Sequence, residues 1–206
     1  LAAGNTVVIK PSEATPTSTI RLVEILQEAL PPGVLNVVNG DGPSMGEPMT
    51  LHPGIDKISF TGSTAVGKSV QANCAMSVKR CTLELGGKGP AIVLPDADLD
   101  MVAQGALWGV YMNAGQACES GTRLFVHEDI YDTLLEKLVQ RSADIVLGDP
   151  MDPATGMGPM TTEAHFNKVL GYIESAISEG GRAVCGGHQA SVPECEDGFF
   201  VEPTVL

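Results

Sequence analysis

The chain has 206 residues, of which 43% are hydrophobic and 18% charged, enough for one sizeable domain or parts of two and typical of a globular protein in water. A formal net charge of −13 argues against nucleic acid or an anionic membrane as a partner, because either requires a basic surface. No apolar run approaches the roughly 20 residues of a membrane span and no signal-peptide pattern opens the chain, so a cytoplasmic protein is expected. Cysteines stand at 74, 81, 118, 185 and 195. Their odd number and the lack of C-x-x-C spacing argue against a disulfide framework and against a metal cluster, and leave free thiols available for chemistry.

Strand-like and helix-like stretches alternate along the chain. Thr6 to Ile9 is a short continuous apolar run, as in a strand buried on both faces, and Pro11 ends it. Thr15-Pro16 offers an N-cap followed by proline at the first helical position. Ile20, Val23, Leu26 and Leu30 then repeat at helical spacing until Pro31-Pro32-Gly33. Val34 to Val38 reads as a second strand, Ser44 to Leu51 as a weak helix, and Lys57 to Phe60 as a third strand. A helix from about Thr64 to Ser77 leads to a strand at Thr82 to Leu85, broken by Gly86-Gly87. That break is the expected boundary, dividing residues 1–86 from residues 87–206.

Beyond it, Ala91 to Leu94 reads as strand. Leu99, Val102, Ala103, Ala106, Leu107 and Val110 form the apolar stripe of a helix, with Trp108 expected in the core. Leu124 to Val126 is a further strand, and helices are expected over about 130–143 and 163–179. Strand–helix–strand repetition with short turns implies an α/β fold with a parallel sheet and helices on its faces. The chain opens at Leu1 in what reads as a helix end and stops at Thr204-Val205-Leu206 as a β-type run begins, so an internal segment of a longer protein is expected.

Four places invite chemistry. In Phe60 to Gly67, a strand passes through Gly62 into a helix that Ser63 or Thr64 can cap, leaving backbone N–H groups for a phosphate; an ordinary capped turn reads equally well, since G-x-G-x-x-G is absent. Lys10 and Glu13 end the first strand, where ligands gather in open α/β sheets, or form a plain exposed pair. Glu84 between Leu83 and Leu85 is either a buried carboxylate with a raised pKa, suited to a general base, or a residue turned to solvent by strand alternation. Cys118, among small residues just past a helix, is either an approachable nucleophile or an inert apolar side chain. The other four cysteines read as inert, and no histidine lies near Cys118 in sequence.

Together these pieces resemble the aldehyde dehydrogenase superfamily across essentially the whole chain. Val8-Ile9-Lys10-Pro11-Ser12-Glu13 is similar to its first cofactor segment, and Phe60-Thr61-Gly62-Ser63-Thr64 with Gly67 to its phosphate-side turn. Leu83-Glu84-Leu85-Gly86-Gly87-Lys88 resembles the motif of its general base, and Gly115-Gln116-Ala117-Cys118 with Arg123 that of its nucleophile. Four modest motifs in the right order make a chance match very improbable.

The resemblance implies a Rossmann-like parallel-sheet NAD(P)-binding part in residues 1–86 and part of an α/β catalytic domain in residues 87–206, both incomplete. It implies oxidation of a small-molecule aldehyde to a carboxylic acid: Cys118 attacks the aldehyde to give a hemithioacetal and then a thioester, and Glu84 activates the water that hydrolyses it. Lys10, Glu13, Gly62, Ser63, Thr64, Gly67 and Leu85 become cofactor contacts, with Glu13 favouring NAD over NADP. A dimer or tetramer is expected of the parent protein. The alternatives are a relative that releases acyl-CoA, against which a water-activating Glu84 speaks, and a non-catalytic relative that keeps the fold. In the family, an upstream Asn completes the oxyanion hole and a downstream Glu segment contacts the nicotinamide ribose. Neither lies in these residues, so the segment alone is expected to be inactive. Glu119, directly after the nucleophile, is expected to disfavour anionic semialdehydes.

Overall fold

The computed structural model describes residues 1–206 and divides them into two compact units, Leu1–Leu85 and Gly86–Leu206. In the first unit β1 (Val7–Ile9), α1 (Thr17–Gln27) and β2 (Leu35–Val37) form a strand–helix–strand unit. A wide turn at Gly42–Gly46 and the short α2 (Glu47–Leu51) lead to β3 (Lys57–Gly62), α3 (Thr64–Ala75) and β4 (Arg80–Leu85). β1 pairs in parallel with β2, Val7 opposite Leu35, and β3 with β4, from Lys57 opposite Arg80 to Gly62 opposite Leu85. Parallel pairing demands a crossover, and here each crossover is a helix. Val23 of α1, Leu35 of β2, and Val70 and Cys74 of α3 are the buried apolar anchors.

Several local expectations are corrected. β1 is not buried on both faces: side chains alternate along it, with Val7 and Ile9 half-buried and Val8 44% exposed. Thr15 does not cap α1. Pro16 already has helical dihedrals and holds the cap position without a side-chain bond, while the Thr15 N–H donates to the Ser12 carbonyl in a preceding turn. The Pro16 carbonyl accepts the first helical bond, from the Ile20 N–H, so the cap falls one residue later than expected. The helix stops at Gln27, where i→i−3 bonds from Glu28 and Ala29 tighten the chain ahead of Pro31. The Ser44–Leu51 helix splits in two, because Asp41 accepts from the Ser44 N–H and opens a wide turn before α2. α3 ends at Ala75: Val78 takes a positive φ of 54°, and the Lys79 N–H closes back on the Cys74 carbonyl. The Lys79 ammonium then donates to the carbonyls of Thr50 and His52, tying the end of α2 to this cap.

In the second unit β5 (Pro90–Val93) pairs in parallel with β6 (Arg123–Val126) across α4 (Leu99–Tyr111), followed by α5 (Tyr131–Ala143) and α6 (Glu163–Ser178). Asp98 caps α4 and Thr162 caps α6, each accepting first-turn N–H groups. α4 packs on α5 through Ala103, Leu134 and Leu138, joined by Val93 of β5, with Leu99, Val102, Ala106 and Leu107 of the expected stripe around them. Asp100 of α4 accepts from Lys137 and Arg141 of α5, each at 2.9 Å, and links the same two helices at the surface. A second core joins α6 to the chain's end through Met157, Met160, Phe166, Ile173 and Val201. The final β-type run makes only an isolated bridge, Val205 with Cys185.

Trp108 is not a core residue but 68% exposed. It sits one position beyond Leu107, about 100° around the helix, in line with the equally open Met101 two turns back. Its ring lines an open cleft of about 480 Å³ with Tyr111 and Arg141. No helix is long and apolar enough to cross a membrane.

Leu134 has no exposed surface at all, so Leu134→Ala in the full-length protein should cost about 2–5 kcal/mol of stability and lower the thermal unfolding midpoint. Met101→Ala, at a 72% exposed site on the neighbouring helix, should leave it nearly unchanged.

Candidate active site

In the first unit the parallel register brings several of the candidate residues to one sheet edge. β3 and β4 end together, with Thr61 opposite Glu84 and Gly62 opposite Leu85, so the turn Gly62-Ser63-Thr64 lies beside the strand end that carries Glu84 and Leu85. Ser63 is the cap of α3: its hydroxyl accepts from the Val66 N–H at 3.3 Å and its carbonyl from the Gly67 N–H. The N–H groups of Thr64 and Ala65 have no partner in the chain, and the helix dipole makes them attractive to an anion. At Gly67 a Cβ would lie 2.6 Å from Leu85 Cδ2, so in this packing of Leu85 against the first turn of α3 any larger residue would have to displace the leucine side chain. At Gly62 a Cβ would collide with the ring of Phe60.

Glu84 takes the solvent-facing alternative. β4 alternates strictly, with Cys81, Leu83 and Leu85 half-buried and Arg80, Thr82 and Glu84 exposed. Glu84 is therefore not the buried, desolvated carboxylate that one reading of the sequence required; its carboxylate is open and forms no ion pair.

Lys10 and Glu13 meet at the end of β1, with 3.6 Å between ammonium and carboxylate. The Lys10 side chain is only 17% exposed and its ammonium donates to the carbonyls of Pro11, at 2.9 Å, and Gly40, at 2.8 Å. The bond to Gly40, which nothing in the local sequence signals, holds the end of β1 against the turn after β2. Glu13, at 62%, is the open member of the pair.

In the second unit, α4 runs into a tight turn, Met112–Gly115, where Asn113 and Ala114 adopt positive φ of 52° and 55° and Gly115 follows at 75°. Left-handed geometry costs about 1–2 kcal/mol for most non-glycine residues, less for asparagine, so Ala114 above all must be held by its surroundings. Gln116 does this. Its side-chain amide donates to the Asn113 carbonyl at 2.8 Å and its amide oxygen accepts from the Thr161 N–H at 3.1 Å, tying the turn to the loop before α6. The chain then presents Cys118 exposed to solvent, with Ser120 buried two residues later.

The strand start beside this loop carries the rest of the motif. A Cβ on Gly87 would sit 3.7 Å from the Cys118 carbonyl oxygen, so the Gly86-Gly87-Lys88 segment passes next to the cysteine backbone. The Arg123 guanidinium donates to the Lys88 carbonyl at 2.8 Å and fixes that approach. The Cys118 thiol donates to the Glu119 carboxylate at 3.1 Å. This hydrogen bond, and then the charge of Glu119, push the thiol pKa above its ordinary value, while the Glu119 carboxyl is lowered by the same bond. Cys74 is a different case: it is a buried residue of α3, and burial pushes its thiol up. Cys81, Cys185 and Cys195 are half-buried, and all five cysteines are free. Nowhere do three or more His, Cys, Asp or Glu side chains converge as metal ligands.

The structure thus gathers Gly62, Ser63, Thr64, Gly67, Glu84 and Leu85 at one edge of the first unit and Lys10 with Glu13 at the end of another strand pair. It sets Cys118 in the second unit with Gly87, Lys88 and Arg123. Gln116 and Glu119 are the polar residues whose contacts sequence reasoning does not supply. Gln116 stands within the nucleophile motif, and a polar side chain directly after a glycine-containing turn is the one signal that marks it.

The whole chain, residues 1–206, matches the model of the aldehyde dehydrogenase family. It is 45% identical to phenylacetaldehyde dehydrogenase of Pseudomonas fluorescens and 47% identical to retinal dehydrogenase 2 of Homo sapiens. In both comparisons all of this chain is aligned, but it spans only 41% and 39% of those relatives' length. Among solved structures, PnpE of Pseudomonas sp. WBC-3 superposes with a TM-score of 0.95 at 48% identity, over 98% of this chain and 42% of that one, and PnpE in complex with nicotinamide adenine dinucleotide gives the same values. A betaine aldehyde dehydrogenase of Staphylococcus aureus in complex with NAD+ superposes with a TM-score of 0.93 at 40% identity, over 98% of this chain and 41% of that one. Sequence and fold agree over the full length of the chain, which belongs to the aldehyde dehydrogenase family.

Proposed function

We propose that the full-length protein is an NAD-dependent aldehyde dehydrogenase in which Cys118 is the nucleophile and Glu84 the base that activates water. The observation that carries this reading is the presentation of Cys118: an exposed thiol, on a loop held by a strained left-handed turn and by Gln116, flanked by Gly87, Lys88 and Arg123. Backbone strain kept at one turn and stabilised from outside is the usual mark of a position under functional demand. An inert cysteine would not need it, and Cys74, buried in a helix, provides the contrast.

The chain's own geometry offers the cofactor a cradle. The close contact of Gly67 with Leu85, the crowding at Gly62 and the free amides of Thr64 and Ala65 leave a backbone surface suited to a pyrophosphate. Lys10 and Glu13 would take the adenosine ribose, with the open Glu13 carboxylate accepting from its hydroxyls and repelling a 2′-phosphate. Residues 1–86 then form part of the cofactor-binding domain and residues 87–206 part of the nucleophile-bearing one. Bound NAD supplies the hydride acceptor.

The chain's residues supply the rest. The Cys118 sulfur adds to the aldehyde carbon, and the Cys118 N–H helps hold the oxygen that becomes negative. After oxidation the acyl group remains on sulfur as a thioester. Glu84 takes a proton from water, which adds to the thioester carbon, and the acid leaves as the thiol is restored. The exposed Glu84 carboxylate is open to such a water, and a base that activates water favours it over coenzyme A as the second nucleophile.

Cys118→Ala in the full-length protein should abolish turnover while leaving NAD affinity within about twofold, as read by steady-state NADH production and by fluorescence titration of the cofactor. Retained turnover would overturn the assignment. Glu13→Gln should narrow the preference for NAD over NADP by roughly tenfold in kcat/KM, since about 1.4 kcal/mol of charge repulsion is removed; an unchanged ratio would remove Glu13 from the cofactor site.

A further inference from the structure

The contact between the Cys118 thiol and the Glu119 carboxylate has no part in the steps above. The sulfur donates to Glu119 Oε2 at 3.1 Å, the two residues are adjacent in sequence, and both are exposed. We propose that Glu119 is a positioning residue that holds Cys118 as an oriented, neutral thiol in the cofactor-free enzyme, so that the reactive thiolate forms readily only once this contact is exchanged for others. The inference rests on the reading of Cys118 as the nucleophile.

The surroundings leave Glu119 as the group that sets the state of the sulfur. On the neighbouring segment, the Lys88 ammonium donates to the Gly87 carbonyl at 3.1 Å, and Arg123 of β6 spends its Nε on the Lys88 carbonyl; neither pairs with the thiol or with Glu119. The loop joined through Gln116 leads to Glu163 and His165 at the start of α6, and neither forms an ion pair with this site. Asn113 and Gln116, at the end of α4, are uncharged. A thiolate formed here would face a carboxylate within hydrogen-bonding distance, while the flanking Lys88 and Arg123 donate to backbone carbonyls instead. The raised thiol and lowered carboxyl follow that arrangement.

The chemical consequence is protection. A thiolate, not a thiol, attacks electrophiles and oxidants, so an exposed cysteine is vulnerable in proportion to its ionised fraction. The Glu119 bond lowers that fraction while keeping the sulfur at a fixed position on its loop.

The test is the pH dependence of alkylation of the cofactor-free full-length protein by iodoacetamide. The modified Cys118 peptide is identified by mass spectrometry, and Cys118→Ala serves as the blank. The wild-type midpoint is expected above that of an ordinary cysteine. Glu119→Gln and Glu119→Ala should move it to lower pH and speed alkylation at pH 7 by roughly three- to tenfold, both with NAD affinity retained as evidence of folding. Either variant, if folded, decides the matter: a profile that superimposes on the wild type overturns the proposal. If the profiles superimpose while Cys118→Ala abolishes turnover, the positioning role fails and the nucleophile stands. If Cys118→Ala retains turnover, the functional reading fails, whatever the alkylation shows.

Discussion

The turn that ends α4 is the constraint on which the placement of Cys118, the proposed nucleophile, depends. A helix that simply stopped at Tyr111 would let the following chain leave in many directions. Two non-glycine residues in left-handed geometry, followed by Gly115, instead reverse it sharply. That geometry is unfavourable by itself and is kept because Gln116 bonds the Asn113 carbonyl on one side and the Thr161 N–H on the other. Ala114, 7% exposed, is packed into the core that α6 forms with Met157 and Val201, so apolar burial also holds the turn. Strain, one bridging amide and a buried methyl together determine where Cys118 emerges.

The first unit solves a different problem, the close approach of helix to strand at Gly67 and Leu85. Its parallel ladder places Gly62 opposite Leu85, and the absence of a side chain at Gly67 lets Leu85 lie on the first turn of α3. The same register sets Glu84 on the open face, because side chains alternate along β4. The helix cap at Ser63 uses some of the first-turn amides and leaves others for an anion. Placement of the Glu84 carboxylate and of the proposed phosphate cradle thus follows from one pairing of six residues on each strand.

Much of this is legible in the amino-acid sequence. The parallel βαβ units follow from short apolar runs alternating with amphipathic stretches, and the family from four motifs in order. What local reading misses has physical causes. Trp108 reads as a core residue because apolar side chains surround it in sequence, but the helix stripe that packs is set by Ala103 and Leu107, one position away. Thr15 looks like a cap because threonine precedes proline, yet it is the Pro16 carbonyl that accepts the first helical bond, from Ile20. Glu84 allows two readings because strand alternation gives period but not phase; only pairing with β3 and packing against α3 decide which face is inside. The Lys10 bond to Gly40 and the Gln116 bond to Thr161 join residues distant in sequence, and no local pattern records them.

The central claim is that an acyl group resides on Cys118 and is removed by water that Glu84 activates. The most direct measurement is acid-quenched mass spectrometry of the full-length Glu84→Gln variant after mixing with NAD and a simple neutral aldehyde. Oxidation should proceed for about one turnover, giving a single burst of NADH, and the peptide containing Cys118 should carry the acyl mass. Steady turnover in Glu84→Gln at the wild-type rate, or an acyl mass on any other residue, would contradict the account.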